Sequence, residues 1–323
     1  MTMQMIVGTS ETTAIANVGS SFSPALVADW LDYNKDKSPA TIKTYNAALK
    51  NFFNWLADNQ IVLPKRNDVV EYVNTLCKTK SLRTARLYST SVKVFSRWVS
   101  SIGVYLDFAA GTKSPSLAEE NEVHAREALD IDGAKKVLNY FNGKNDEKDT
   151  RDALIIRLMM NCALRSVEVT RLDSTDFEKR NGRIMLKIWG KGRKGKSSRV
   201  AISQKLYSQI QAYLDNRGAT RKKGEPMFTS TARRNKGERL QTQSVSRLAK
   251  RVLVACGYDS STFTCHSLRH TAANLLLTEG QVDVRRVQNL LRHRHSSTTE
   301  IYLHDIDAAR NNATQILSDL LDS

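Results

Sequence analysis

Two short runs toward the C-terminal end of the chain hold residue types that together could do acid–base and nucleophilic chemistry. One is Cys265-His266-Ser267-Leu268-Arg269-His270; the other is Leu290-Leu291-Arg292-His293, followed nine residues after the histidine by Tyr302. Of six histidines in the chain, five (His266, His270, His293, His295 and His304) lie between residues 266 and 304. Histidine changes charge near neutral pH. Arginine grips planar oxyanions with paired N–H donors, and a tyrosine hydroxyl can serve as a covalent nucleophile. Crowded together in a basic chain, these groups point to chemistry on a phosphate.

The charge balance supports that direction. The 323 residues carry a formal net charge of +16, and the stretch from Arg183 to Arg251 alone holds 19 Lys and Arg against Asp215, Glu225 and Glu238, again a net of +16. A polyanion such as DNA is the partner such a patch suits. A membrane surface fits less well, because no basic amphipathic helix with an aromatic face is visible. No apolar run reaches the roughly 18–20 residues that span a bilayer. The first twenty residues lack the basic and apolar regions of a signal peptide, so a cytoplasmic location is expected.

The four cysteines, Cys77, Cys162, Cys256 and Cys265, have irregular spacing and no C-x-x-C pair. They read as reduced, buried thiols. A zinc site from Cys265, His266, His293 and His295 is conceivable, and His266 and His270 stand four apart. The glutamate of H-E-x-x-H is missing, however, and neither a metal nor a cofactor is expected.

One run matches a nucleotide-binding pattern. Gly190-Lys191-Gly192-Arg193-Lys194-Gly195-Lys196-Ser197 satisfies G-x-x-x-x-G-K-S. A phosphate-binding loop needs a helix directly after it, because the helix N-terminus completes the cradle. Here the next residues, Ser198-Arg199-Val200-Ala201-Ile202, alternate like a strand, and Ser203 then resembles a helix cap. With Arg183–Trp189 alternating in the same way, the glycines read as the turn of a basic β-hairpin. No acidic Walker-B strand comes after it.

The remaining elements must position these groups. Residues 1–20 read as a polar tail and 21–110 as a helical domain of four or five short helices. Ser38-Pro39 supplies a cap and a first-turn proline, and Ile42, Tyr45, Leu49, Phe52, Phe53 and Leu56 recur at helical spacing. Asp68 to Glu71 resembles a capping box before Val69, Val70, Val73 and Leu76. A further helix is expected over 82–99, burying Tyr88, Val92, Phe95 and Val99. Residues 111–125 are polar and aperiodic, a linker. The rest, 126–323, forms a second domain with a buried helix face at Leu154, Ile155, Leu158, Met159 and Cys162. Helices are expected over 203–216, 243–256, 266–279, 283–291 and 307–321.

In chain order the candidates are Arg165 (within Ala163-Leu164-Arg165-Ser166-Val167-Glu168), Lys191 in the hairpin turn, His266 and Arg269 on one helix face, His293 and Tyr302. This order, with H-x-L-R-H-T-x-A and L-L-x-H-x(8)-Y as its specific parts, resembles the tyrosine recombinases, the phage-integrase family. The resemblance spans roughly residues 21–323. It implies a mainly α-helical fold with a small antiparallel β-sheet, in which a helical core-binding domain precedes an α+β catalytic domain.

The resemblance implies attack by Tyr302 on a DNA phosphate, giving a 3′-phosphotyrosine link and a free 5′ hydroxyl, with no ATP or metal. Arg165 and Arg269 would clamp the phosphate. His266 is a candidate acid/base group and His293 a second donor to the phosphate. Lys191 would protonate the departing 5′ oxygen, although Lys194 or Lys196 could take that role. Glu168 would orient a site side chain, and Arg193, Lys194 and Lys196 would contact DNA. His270 reads as structural. The implied partner is double-stranded DNA with a specific site, held by a homotetramer; the last helix would dock on a neighbouring protomer or pack against its own domain, and accessory proteins stay open.

Three departures stand out. Arg292 occupies the place where the family usually has glycine, and Val167 replaces a small residue. The region before the helical domain is short for an extra arm-binding domain. A nicking–closing enzyme of topoisomerase IB type, or a DNA-binding protein with a relic site, would present the same residues.

Overall fold

The computed structural model describes residues 22–116, 127–190 and 195–292, and the chain divides into two compact units, 1–124 and 125–323. The described part of the first unit contains α1 (Pro24–Tyr33), α2 (Pro39–Asp58), α3 (Arg66–Thr79) and α4 (Leu82–Ser101). Serines set three of the four starts. The Ser38 side chain accepts from the Thr41 N–H at 3.2 Å, with Pro39 at the first helical position, and Ser81 caps α4 in the same way. Each such cap satisfies an N–H that the helix cannot.

The core of this unit is aromatic. Trp30, Phe52, Phe53, Phe95 and Phe108 are fully buried, with Phe52 stacked on Phe108 and Phe95 edge-on to Trp30. Such ring pairs add about 0.5–1.5 kcal/mol each beyond their area. Two expectations need correction. The α3 capping box lies three residues earlier than the sequence suggested: Asp68 is the third residue of the helix, and its carboxylate accepts from the Lys65 N–H at 2.6 Å. Val70 accordingly points outward and is exposed. The helices are also longer than expected, α2 and α4 having 20 residues each.

The described part of the second unit holds α5 (Ile131–Asn139), α6 (Glu147–Asn161), the short α7 (Ser166–Thr170), β1 (Phe177–Arg180), β2 (Arg183–Ile188), β3 (Ser198–Ile202), α8 (Gln204–Asn216), α9 (Thr242–Ala255), α10 (Cys265–Thr278) and α11 (Val284–Leu291). Among the described residues the strands form one antiparallel sheet in the order β1-β2-β3. In β2, Ile184, Leu186 and Ile188 face the core and Ile184 pairs with Ile202 of β3. Since Ser198 begins a strand, the G-x-x-x-x-G-K-S run has no helix behind it and is not a nucleotide cradle.

Strand β1 was not foreseen, because three of its four residues are charged. Its signal lies in the turn. Asn181-Gly182 joins β1 to β2 with φ of 49° and 71°, and Arg180 pairs with Arg183. Two left-handed residues in a two-residue loop match the right-handed twist of a hairpin, and Asn-Gly suits them best.

The main core of this unit runs through Leu154, Ile155, Leu158 and Met159 of α6 and Val252 and Leu253 of α9. A separate small cluster joins Ala163, Ala273, Leu277, Val287 and Leu291. It seats α11 on α10 beside the segment that leads to Arg165.

Candidate active site

Arg165 sits at the boundary between a turn and α7. Ala163 takes a left-handed φ of 49°, reversing the chain after α6. Arg165 is then the extended residue that caps α7, and Glu168 is the third residue of that helix. The Glu168 carboxylate accepts from the Arg165 backbone N–H and from its guanidinium, both at 2.9 Å. One acid thus caps the helix and aims the arginine. The Glu168 side chain is fully buried while that of Arg165 is 23% exposed, so the carboxylate anchors and the guanidinium reaches outward.

Helix α10 supplies His266 and Arg269. Its start is held by Thr264 and Ser267: the Ser267 hydroxyl accepts from the Thr264 N–H at 3.0 Å, and the Thr264 hydroxyl from the His266 N–H at 3.3 Å. His266 is half-buried in the first turn. Arg269, one turn on, is buried. It donates to the carbonyls of Ala163 and Leu291 and lies 3.9 Å from Glu168. His270 is half-buried on the same helix.

Arg292 completes the cluster. The chain leaves α11 through it, and its guanidinium meets Glu168 at 2.8 Å across 124 residues of sequence. Burial works to raise the Glu168 carboxyl, but the Arg292 charge, the Arg165 N–H and the Arg165 guanidinium together hold it below its ordinary value. Among these four side chains, three guanidiniums face one carboxylate, an excess of two positive charges (3 − 1). A buried excess of that sign attracts an oxyanion more strongly than the same charges in water.

The hairpin is anchored at both ends. Arg171 lies over the Trp189 ring, 5.2 Å from its centre. Lys196 meets Asp173 at 2.5 Å and also Asp176. Arg239 holds Asp173 from the other side and donates to the carbonyls of Thr170 and Leu172. Burial raises both carboxyls; in Asp173 the two cations outweigh it and leave the group low, whereas Asp176 stays raised. Lys196, read from sequence as a DNA contact, is thus engaged by two carboxylates.

The structure brings together Arg165, Glu168 and Arg269, and places His266 one turn before Arg269 on α10. Lys191, Arg193, Lys194, His293 and Tyr302 lie outside the described residues, as does the 307–321 segment. The sequence reading missed the contacts of Arg292, visible only as a departure from the usual glycine, and the Asp173–Asp176 pair. Among the described residues no cluster of metal-ligating side chains occurs and no helix is long and apolar enough to cross a membrane.

The stretch before and into α9 is an exposed basic surface of the 183–251 region. Arg233, Arg234 and Lys236 project around a short 3₁₀ turn, followed by exposed Gln241, Gln243 and Arg247.

Comparison with known proteins agrees with this architecture. Residues 127–308 match the phage integrase family, and residues 28–103 match the phage integrase N-terminal SAM-like domain. Tyrosine recombinase XerA of Pyrococcus horikoshii is 30% identical over 82% of this chain and 83% of its own length. Tyrosine recombinase XerC of Corynebacterium glutamicum is 29% identical over 85% of this chain and 84% of its own. The fold also resembles XerH recombinase bound to a palindromic difH substrate (TM-score 0.73, 19% identity, 91% of this chain and 84% of that one). A lambda integrase tetramer on a Holliday junction is similar (TM-score 0.59, 17% identity, 85% and 76%). With a catalytic-domain match over more than half its length, preceded by the N-terminal domain of the same family, the chain belongs to the phage integrase family of tyrosine recombinases.

Proposed function

We propose that this protein is a site-specific DNA recombinase that cuts and rejoins strands through a covalent tyrosine intermediate. The observation that carries the reading is the convergence of Arg165 and Arg269, from separate segments, on the buried Glu168. Such an arrangement pre-aims guanidiniums at an oxyanion, so little reorganisation is needed when negative charge grows on the phosphate.

In the proposed reaction the Tyr302 hydroxyl oxygen attacks the scissile phosphorus as its proton passes to a base, for which His266 is the candidate. The bond to the 5′ oxygen breaks, and that oxygen takes a proton from Lys191. Arg165, Arg269 and His293 stabilise the non-bridging oxygens. The product is a 3′-phosphotyrosine ester and a 5′ hydroxyl. Because the ester keeps the bond energy, attack by a 5′ hydroxyl from another strand reverses the step without an energy source. Glu168 orients Arg165, and the basic surface at Arg233, Arg234 and Lys236 tracks the DNA backbone. A homotetramer assembled on a specific duplex site performs the exchange.

A nicked duplex that loses its 5′ hydroxyl fragment after cleavage traps the intermediate. Wild-type protein should accumulate covalent adduct and Tyr302→Phe none. Adduct with Tyr302→Phe would overturn the assignment. Strand exchange between two differently labelled duplexes separates recombination from simple relaxation.

A further inference from the structure

We propose that Arg292 is a positioning residue of this site, which acts through Glu168 to hold Arg165 toward the phosphate. The inference rests on the strand-cleavage reading and adds to it a guanidinium that the catalytic signature does not include.

The backbone poses the first question. Arg292 has φ 54° and ψ 39°, the left-handed region where glycine is at ease and a residue with a β-carbon is strained. A residue retained there at a conformational cost is expected to do something with its side chain. The side chain of Arg292 does not reach for solvent. It is 7% exposed and folds back under the site. One terminal nitrogen donates to Glu168 Oε2 at 2.8 Å and to the Ala163 carbonyl at 3.0 Å; the other donates to the Leu290 carbonyl at 2.7 Å.

These contacts join three segments. The Ala163 carbonyl also accepts from Arg269, and the Leu291 carbonyl accepts from the other end of that same guanidinium. Arg269 and Arg292 therefore cross-brace the end of α11 against the turn that launches Arg165. Glu168 is the shared element: Oε1 holds the Arg165 guanidinium, and Oε2 takes the Arg165 N–H and Arg292. With glycine at 292 the backbone would relax, but Oε2 would lose its charged hydrogen bond, and Arg269 at 3.9 Å is too distant to replace it.

The charged groups that meet Glu168 are Arg165 before α7, Arg269 on α10 and Arg292 after α11, and the thiol of Cys162 at the end of α6 feels the Arg292 charge. The Cys162 thiol, pushed up to about 12 chiefly by burial, stays neutral. Without Arg292, the burial that raises Glu168 would act with less opposition. The carboxyl would then begin to protonate at higher pH and release Arg165 from its paired geometry.

The test compares Arg292→Gly, Arg292→Lys and the Arg292→Gly/Glu168→Gln pair in single-turnover cleavage of the nicked duplex, from roughly pH 5 to pH 9. Arg292→Gly should bind the duplex within about twofold of wild type yet cleave about tenfold to a hundredfold more slowly. It should also show a new fall in rate on the acid side. Lysine should restore part of the rate, and Glu168→Gln in the glycine background should abolish the acid limb. A wild-type rate and pH profile for Arg292→Gly would overturn the proposal, as would a loss uniform across pH and matched by lost DNA affinity. Acid unfolding followed by circular dichroism gives a readout without catalysis, with the midpoint for Arg292→Gly expected at higher pH. If wild type forms no adduct, the strand-cleavage reading fails, and the midpoint alone decides: an upward shift upholds the Arg292–Glu168 coupling and an unmoved one overturns it.

Discussion

Glu168 is the residue on which the site turns, although it would touch no substrate. It is fully buried and satisfied by two arginines and a backbone N–H. Removing one member of a buried charge group leaves the others uncompensated, at a cost of about 3–5 kcal/mol. Glu168→Gln should lose that much in urea unfolding at neutral pH. The sign of the pH dependence comes from its lowered carboxyl. The stabilisation is present above the unfolded value of about 4.3 and is lost as pH falls through the folded one. The gap between wild type and Glu168→Gln should therefore narrow in acid. Arg165→Lys replaces a planar two-pronged donor with a point charge. Single-turnover cleavage should fall by about 10²–10³, with duplex affinity changed far less.

Among the elements, the β2–β3 hairpin carries the proposed general acid, and its footing is electrostatic. Lys196 bridges Asp173 and Asp176, and Trp189 meets Arg171 across the other side of the loop. Both anchors lie on the segment that comes after Arg165 and α7, which links the two ends of the hairpin loop to the arginine site. Lys196→Met should loosen that link and slow cleavage by about tenfold. If the loss comes from a displaced Lys191, it should largely vanish with a duplex whose 5′ bridging oxygen is sulfur, because a thiolate departs without a proton. Equal losses on both substrates would place the effect of Lys196 elsewhere.

For the whole molecule, charge matters more by placement than by sum. Of 19 basic residues between Arg183 and Arg251, seven (Lys196, Arg199, Arg217, Arg221, Arg239, Lys250 and Arg251) meet a carboxylate among the described residues. Several of those carboxylates, such as Asp152, Asp173 and Glu178, lie outside the basic stretch in sequence. DNA affinity should still fall steeply with salt, through counterion release. Neutralising Arg233, Arg234 and Lys236 together should flatten the log–log slope by about 2 to 3. Neutralising Arg199 and Arg221 should change it by less than about 1. Fluorescence anisotropy over a salt series separates the two outcomes. The N-terminal unit has its own aromatic core, so Phe52→Ala should cost about 3–5 kcal/mol in the unfolding of that unit.

Local information was enough for much of this protein. Helical periodicity located α2, α4 and α6, and serine caps marked α2 and α8. Alternation placed β3 at its observed bounds and β2 to within one residue, because each signal acts within a few residues. The order of Arg165, Lys191, His266, Arg269, His293 and Tyr302 pointed to the family for a related reason: short motifs hold chemical groups on single elements. Strand β1 was legible only through its Asn181-Gly182 turn, since a short edge strand of charged residues has no apolar rhythm. What tertiary structure decided is which charges meet. Arg292 finds Glu168 across 124 residues, and Lys196 finds Asp173 across 23. Burial then turns those meetings into fixed geometry. An ion pair between distant segments leaves no periodic trace in the chain, and its strength comes from the water the fold excludes.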